Sequence, residues 1–285
     1  MAYVITDPGT YPGIDERDYH ADPVKGGSLS STEAKLILEA PAVLRWRREN
    51  PQQSSAAFDF GTAVHSMVLG AGAPIMAYPE EVLSANGAAS TKAAREWAEA
   101  VRAAGAIPVK EDTYRAVEAV AEAVRTNPLA ARILAAGEPE VSVFARHPET
   151  GIWMRGRIDW VMPAADGDGA RTLVDLKTTD DANPSVFAHT AARFGYDIQR
   201  AWYLKAWELA TGEQSRFLHI AVSKKEPHLV SVCEMNWAFD DLGRSKVDKA
   251  LRLYRDCMER GEWPGIPSEI HQIIPPVYYL DSEEE

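Results

Sequence analysis

Apolar and polar positions alternate along Glu140–Ala145 and again along Ile152–Val161. A period of two puts alternate side chains on opposite faces, so both stretches are predicted as strands. Thr172–Leu176, Phe217–Val222 and Leu229–Met235 are short apolar runs of the same kind. Elsewhere the period is helical. Val247, Ala250, Leu251 and Tyr254 mark an amphipathic helix over 240–260, and a further helix is predicted over 190–209. Trp97, Val101, Tyr114, Val117, Val120 and Val124 place two or three helices between Thr91 and Ala136, broken near Gly105 and Pro108. Phe60, Val64, Met67 and Val68 share one face of a helix that carries Gly61 and His65 one turn apart. Leu36, Ile37, Ala40 and Leu44 form an earlier stripe. Ser30 and Glu33 have capping-box spacing at its start, and Pro41 divides it in two.

This order is helices, three strands, helix, two strands, helix. It predicts an α/β (α+β) domain over 28–260, with a central mixed sheet flanked by helices and a helical N-terminal half. Within it, 28–136 is the mainly helical part and 137–260 the α/β core. Residues 1–27 and 261–285 have no periodicity and are expected to be extended arms, the second ending in the acidic Asp281–Glu285. Ala71–Ser90 and the polar stretch Asn50–Ala56 are expected as loops.

Composition narrows the class. An apolar fraction of 46% fits a globular domain with a sizeable core. No apolar run is long enough to span a bilayer, and the N-terminus lacks a secretory signal, so the expected location is the cytoplasm, with no membrane partner. Cys233 and Cys257 are too few for a disulfide scaffold or an iron–sulfur cluster. The net charge of −12 argues against a protein that coats nucleic acid, but leaves room for a local basic groove.

The candidate chemistry lies between Arg155 and Lys177. Arg155, Arg157 and Asp159 are spaced by two, as are Asp175 and Lys177, and a turn at Pro163–Gly169 separates the two sets. A hairpin would gather two carboxylates, two guanidiniums and an ammonium on one surface, which is costly unless they pair or bind an ion. Carboxylates suit Mg²⁺, and such a cation polarises a phosphoryl oxygen and acidifies a bound water. Lys177 could orient or deprotonate that water, or offset charge in the transition state. A solvated strand edge would produce the same pattern. Downstream, Gln199 and Tyr203 share a helical face.

GTAVH at 61–65, GRID at 156–159, DLKTT at 175–179 and YDIQRAWY at 196–203 together resemble the PD-(D/E)XK nuclease superfamily. They are most similar to its RecE/exonuclease VIII-like branch of phages and prophages. Ser28–Lys35 with Ala40-Pro41 also resembles that branch's SxSxxK…SP opening. The likeness covers 28–70 and 138–222. Asp175 stands where relatives often have Glu.

The resemblance implies His65, Asp159, Asp175 and the Leu176 carbonyl as metal ligands, and Lys177 as the water-activating or charge-stabilising residue. Gln199 and Tyr203 would position the scissile phosphate or the attacking water. Glu140 would assist through water or be a plain strand end. Arg155 and Arg157 would bind phosphate oxygens, or pair with Glu140 or the aspartates. Thr178 and Thr179 would touch the DNA backbone or cap the turn. The implied activity is a Mg²⁺-dependent (Mn²⁺-tolerant) exodeoxyribonuclease on linear double-stranded DNA. It would leave 3′ single-stranded overhangs for a RecT-like single-strand annealing protein. The implied assembly is a homo-oligomeric ring in the cytoplasm of a phage host. An endonuclease of repair or defence, and a non-catalytic DNA-binding module with a vestigial nuclease fold, are the rival readings.

Overall fold

The computed structural model describes residues 4–50, 60–164 and 170–275. The stretch 51–59, most of the predicted turn at 163–169 and the acidic tail lie outside the described residues. In chain order the elements are β1 (Gly9–Tyr11), α1 (Glu16–His20), β2 (Leu29–Ser30), α2 (Ser31–Glu39), α3 (Pro41–Glu49), α4 (Phe60–Leu69), β3 (Ile75–Ala77), α5 (Lys92–Ala103), β4 (Ile107–Val109), α6 (Glu111–Thr126) and α7 (Pro128–Leu134). They continue with β5 (Glu138–Arg146), β6 (Trp153–Val161), β7 (Arg171–Thr179), α8 (Pro184–Phe194), α9 (Tyr196–Thr211), β8 (Ser215–Ser223), β9 (Val230–Cys233) and α10 (Trp237–Arg260).

The main sheet runs β1-β5-β6-β7-β8-β9, with β2 also paired to β6. The β7–β8 pair is parallel, while β5–β6, β6–β7 and β8–β9 are antiparallel, so the sheet is mixed. Its strands feed two cores. Leu173, Ile158 and Phe217 pack with Trp202, Ile37 and Leu251 from α9, α2 and α10 on one side. Val174, Leu176 and Ile220 pack with Val64, Val120 and Ile133 from α4, α6 and α7 on the other. This is a helix–sheet–helix sandwich, as the element pattern predicts.

The Ser30–Glu33 capping box forms, and Pro41 starts α3 as expected. Three local expectations change. The predicted helix over 190–209 is two helices, because Gly195 takes a left-handed φ of 63° that ends α8 and opens α9. The Ala71–Ser90 loop contains β3, which pairs with β4 in a small parallel ribbon. The N-terminal segment is not a free arm. β1 is an edge strand on β5, and Ile5, Ile14, Tyr19 and Val24 close a small core on Phe144. A three-residue strand is too short to show a period, which is why the pattern did not reveal it.

Candidate active site

The site is built where β6 and β7 part. Their antiparallel register pairs Val161 with Leu173 and Trp160 with Val174, and would next bring Asp159 opposite Asp175. There the ladder stops. The Leu176 amide donates instead to Asp159 Oδ2, at 2.8 Å. In an extended strand the N–H and C=O of one residue face the same edge. The Leu176 carbonyl therefore opens onto the same gap as Asp159.

Helices reach this gap from two sides. From α4, His65 Nδ1 lies 3.4 Å from Asp159 Oδ2. From α9, Gln199 Nε2 donates to Asp175 Oδ1 at 2.8 Å and lies 3.4 Å from the Tyr203 hydroxyl. Gly156 makes room for α9: a Cβ there would stand 2.9 Å from the Tyr203 ring. Lys177 Nζ sits 2.8 Å from Asp175 Oδ1 and 2.7 Å from Oδ2. The directed hydrogen bonds of Lys177 and Gln199 both go to Oδ1, and the buried Oδ2 has the Lys177 ion pair alone.

Glu140 completes the arrangement. It holds φ at +52° inside β5, a left-handed conformation that costs a non-glycine residue about 1–3 kcal/mol. Ligand atoms of Glu140, His65 and Asp159 all lie within 4.8 Å of one another. This trio differs from the ligand set the resemblance implied. Glu140 is in it, and Asp175 faces Lys177 and Gln199 instead, since their ammonium and amide are the donors within reach. A cavity of about 430 Å³ opens over the trio and is also lined by Ser30, Ser31, Arg155 and Tyr203.

Electrostatics separates the two aspartates. Burial, with Asp175 and Glu140 nearby, pushes Asp159 up to about 6 despite the pull of His65 and Lys177. Burial acts the same way on Asp175, but Lys177 outweighs it and holds that carboxyl below its usual range. Burial opposes the charge on Lys177, yet Asp175 and Asp159 raise its pKa overall. Burial also raises Tyr203, keeping its phenol protonated.

The two arginines are structural. Arg155 is buried between Asp22, at 2.8 Å, and Glu33, at 3.0 Å, and donates to Ser28 Oγ. Arg157 pairs with Glu140 at 2.5 Å and donates to the Ile14 carbonyl. The Arg157–Glu140 pair is one of the two roles expected for it, and both arginines also line the cavity over the trio. Thr179 is buried and donates to the Asp181 carbonyl, the turn-capping alternative, while Thr178 is half-buried beside it.

Three residues at the site were not singled out by the sequence. The Lys177 ammonium lies 5.0 Å from the centre of the Tyr196 ring, and Lys35 lies 5.7 Å from it. Burial and the charge of Lys177 lower Lys35 to about 8. His219, paired in register with Asp175, stacks on Tyr196 at 6.0 Å and is lowered to about 4, chiefly by burial. Tyr196, Gln199 and Tyr203 are spaced by three and four, so one helical face announces Tyr196.

Asp on one strand and Asp-x-Lys on the next, meeting where the ladder opens and faced by His and Gln from flanking helices, define the PD-(D/E)XK nuclease fold. The chain belongs to the family described as a PDDEXK-like domain of unknown function (DUF3799), which matches residues 29–274. No curated protein matches it. Among solved structures, a presumed exonuclease from Eubacterium rectale superposes with a TM-score of 0.57 at 13% identity, covering 90% of this chain and 92% of that one. A phage-related exonuclease from Haemophilus somnus 129PT covers 72% of this chain and 98% of its own, at a TM-score of 0.32 and 14% identity. An alkaline exonuclease from Laribacter hongkongensis covers 71% and 93%, at 0.27 and 12%. At these identities the first shares the fold, and the other two are too far off to add to it.

Proposed function

We propose that this chain is a divalent-metal-dependent exodeoxyribonuclease that acts on linear double-stranded DNA. The observation that carries the reading is the two-sided gap between β6 and β7. One side is a cluster of ligand atoms from His65, Glu140 and Asp159, and the other is the Asp175–Lys177–Gln199 set. The donor chemistry fits a metal. Carboxylate oxygens suit Mg²⁺, an imidazole nitrogen extends the range to Mn²⁺, and the buried Oδ2 of Asp175, which has only the Lys177 ion pair, is a further acceptor. His65, Glu140 and Asp159 would hold the cation, with Asp175 and the Leu176 carbonyl at its border. A bound divalent cation supplies charge neutralisation and Lewis acidity at the scissile phosphate.

The protein's own groups do the rest. The raised pKa of Lys177 makes it a fixed positive charge, suited to stabilising negative charge that builds on the phosphate. It is a poor proton acceptor for the same reason. Gln199 keeps the Asp175 carboxylate oriented, and the Tyr203 phenol stays a hydrogen-bond donor. By resemblance, Thr178 would touch the DNA backbone.

By resemblance, digestion runs 5′→3′ and leaves 3′ overhangs for a RecT-like annealing protein during phage recombination, in the host cytoplasm. The chain would work as a homo-oligomeric ring. The test is purified protein with end-labelled linear duplex and with closed circular DNA, plus Mg²⁺ or Mn²⁺. Loss of the linear substrate alone, abolished by chelation and by Lys177→Ala, is expected. Cleavage of the closed circle would point to an endonuclease. Full activity of Lys177→Ala would overturn the site.

A further inference from the structure

We propose that residues 265–275 form an arm that docks on a second copy of the chain, in the apolar groove between α8 and β9. The proposal rests on the reading that the chain assembles with itself.

The root of the arm is fixed. Trp263 packs edge-on against Tyr254 at 5.9 Å, and the Ala42 amide donates to the Pro264 carbonyl at 3.0 Å. Beyond it the chain leaves the body. Ile266 is 81% exposed, Ile270 101%, Ile273 91% and Ile274 82%. Single apolar side chains on a surface are ordinary. Four isoleucines within nine residues, all left open by the described residues of their own molecule, form an apolar segment that a partner could cover.

A complementary surface lies at the far end of α10. The groove there has a volume of about 390 Å³ and is lined by Phe187, Ala188, Ala191, Val232, Met235 and Phe239. It runs beside β9, the last strand of the sheet, whose outer edge has no strand partner among the described residues. Such an edge accepts an added strand. The arm is suited to it: Ser268–Ile274 is free of proline, with Pro267 and Pro275 at its borders. The 24 residues of α10 separate arm from groove by roughly 36 Å. Each copy therefore carries the donor segment at one end and the acceptor at the other. That is the arrangement of a head-to-tail contact, which closes into a ring when the rotation permits. It is the reason to assign the groove to a second copy.

The test is light scattering after size exclusion on the full chain, on the triple variant Ile270→Asp/Ile273→Asp/Ile274→Asp, on Ala188→Arg, and on an equimolar mixture of the two variants. The full chain is expected to be oligomeric and each variant monomeric. The mixture should recover a two-chain species, because one intact arm meets one intact groove. Independently, Ile273→Cys should form a disulfide between copies with the groove's own Cys233 on oxidation, which guards against misfolding of Ala188→Arg. An unchanged oligomer in the triple variant, or no disulfide-linked dimer, overturns the arm while self-assembly stands. A full chain that is monomeric throughout overturns both, and leaves the nuclease assay on linear DNA unaffected.

Discussion

Asp159 and Asp175 face each other across two neighbouring strands, yet their surroundings treat them oppositely. Asp159 shares its space with Glu140 and His65, and burial with nearby carboxylates lifts it to about 6. Asp175 is just as enclosed, but Lys177 and Gln199 satisfy it and its pKa falls. One side of the gap is short of positive charge, and the other is neutral by itself. This difference makes the first side the candidate place for a cation, while the second holds Lys177 by its ion pair. A site with both aspartates paired to lysines would fold more comfortably and bind metal worse.

The largest effect expected is on activity. Asp159→Asn and Asp175→Asn should each lower cleavage of end-labelled duplex by at least about a thousandfold, since both sides of the gap are needed. Activity within tenfold of the parent in either variant would show that one side is dispensable. Stability should then move in opposite directions. In metal-free buffer at neutral pH, Asp175→Asn leaves Lys177 without its counter-charge and should cost about 3 kcal/mol in urea unfolding. Asp159→Asn removes a carboxylate held ionised against its surroundings and should raise stability. Shifts of the same sign would break the comparison.

Glu140 offers a finer distinction. Glu140→Gln should weaken Mn²⁺ binding by about 10–100-fold in calorimetry if it stands within the ligand cluster. An unchanged affinity would return it to pairing with Arg157 alone. The smallest effect is a pH slope. The folded pKa of Asp159 lies above its ordinary 3.8, so between there and about 6 the folded state binds more protons than the unfolded one. Its contribution to stability therefore declines as pH rises through that window. Asp175 is the reverse: its contribution is present above the unfolded pKa and disappears as pH falls toward its lowered folded value. Urea titrations across this range should show Asp159→Asn removing a slope of up to about 1.4 kcal/mol per pH unit.

The sheet and both of its helical layers were legible because β5–β8 and α10 carry clean periods. The gathering of the candidate site was legible because Asp159, Asp175 and Lys177 lie on two successive strands, and Gln199 and Tyr203 follow on one helix. The partners of the arginines were not. Arg155 reaches Asp22, in the irregular segment after α1, and Glu33, in the first turn of α2, and no spacing rule encodes a contact over such a distance. Glu140 was legible as a strand end or a helper through water, but its place beside His65 and Asp159 was not, since its left-handed backbone has no sequence signature in a residue other than glycine. His219 was hidden for a simpler reason. An alternating strand shows which face a histidine takes, not whether a ring such as Tyr196 covers it.

The clasp between Arg155 and the N-terminal segment also bears on how the protein is made. Ser28 and Arg155 are 127 positions apart. At about 5–20 residues per second, a ribosome delivers β6 on the order of ten seconds after Ser28. Until then Ile5, Ile14, Tyr19 and Val24 have no Phe144 to cover them, and Asp22 lacks the Arg155 guanidinium. This segment, made well before β5 and β6, thus completes its packing only after them. During translation it is an apolar tether that must wait, open to chaperones and to neighbouring nascent chains, for the strand that will hold it.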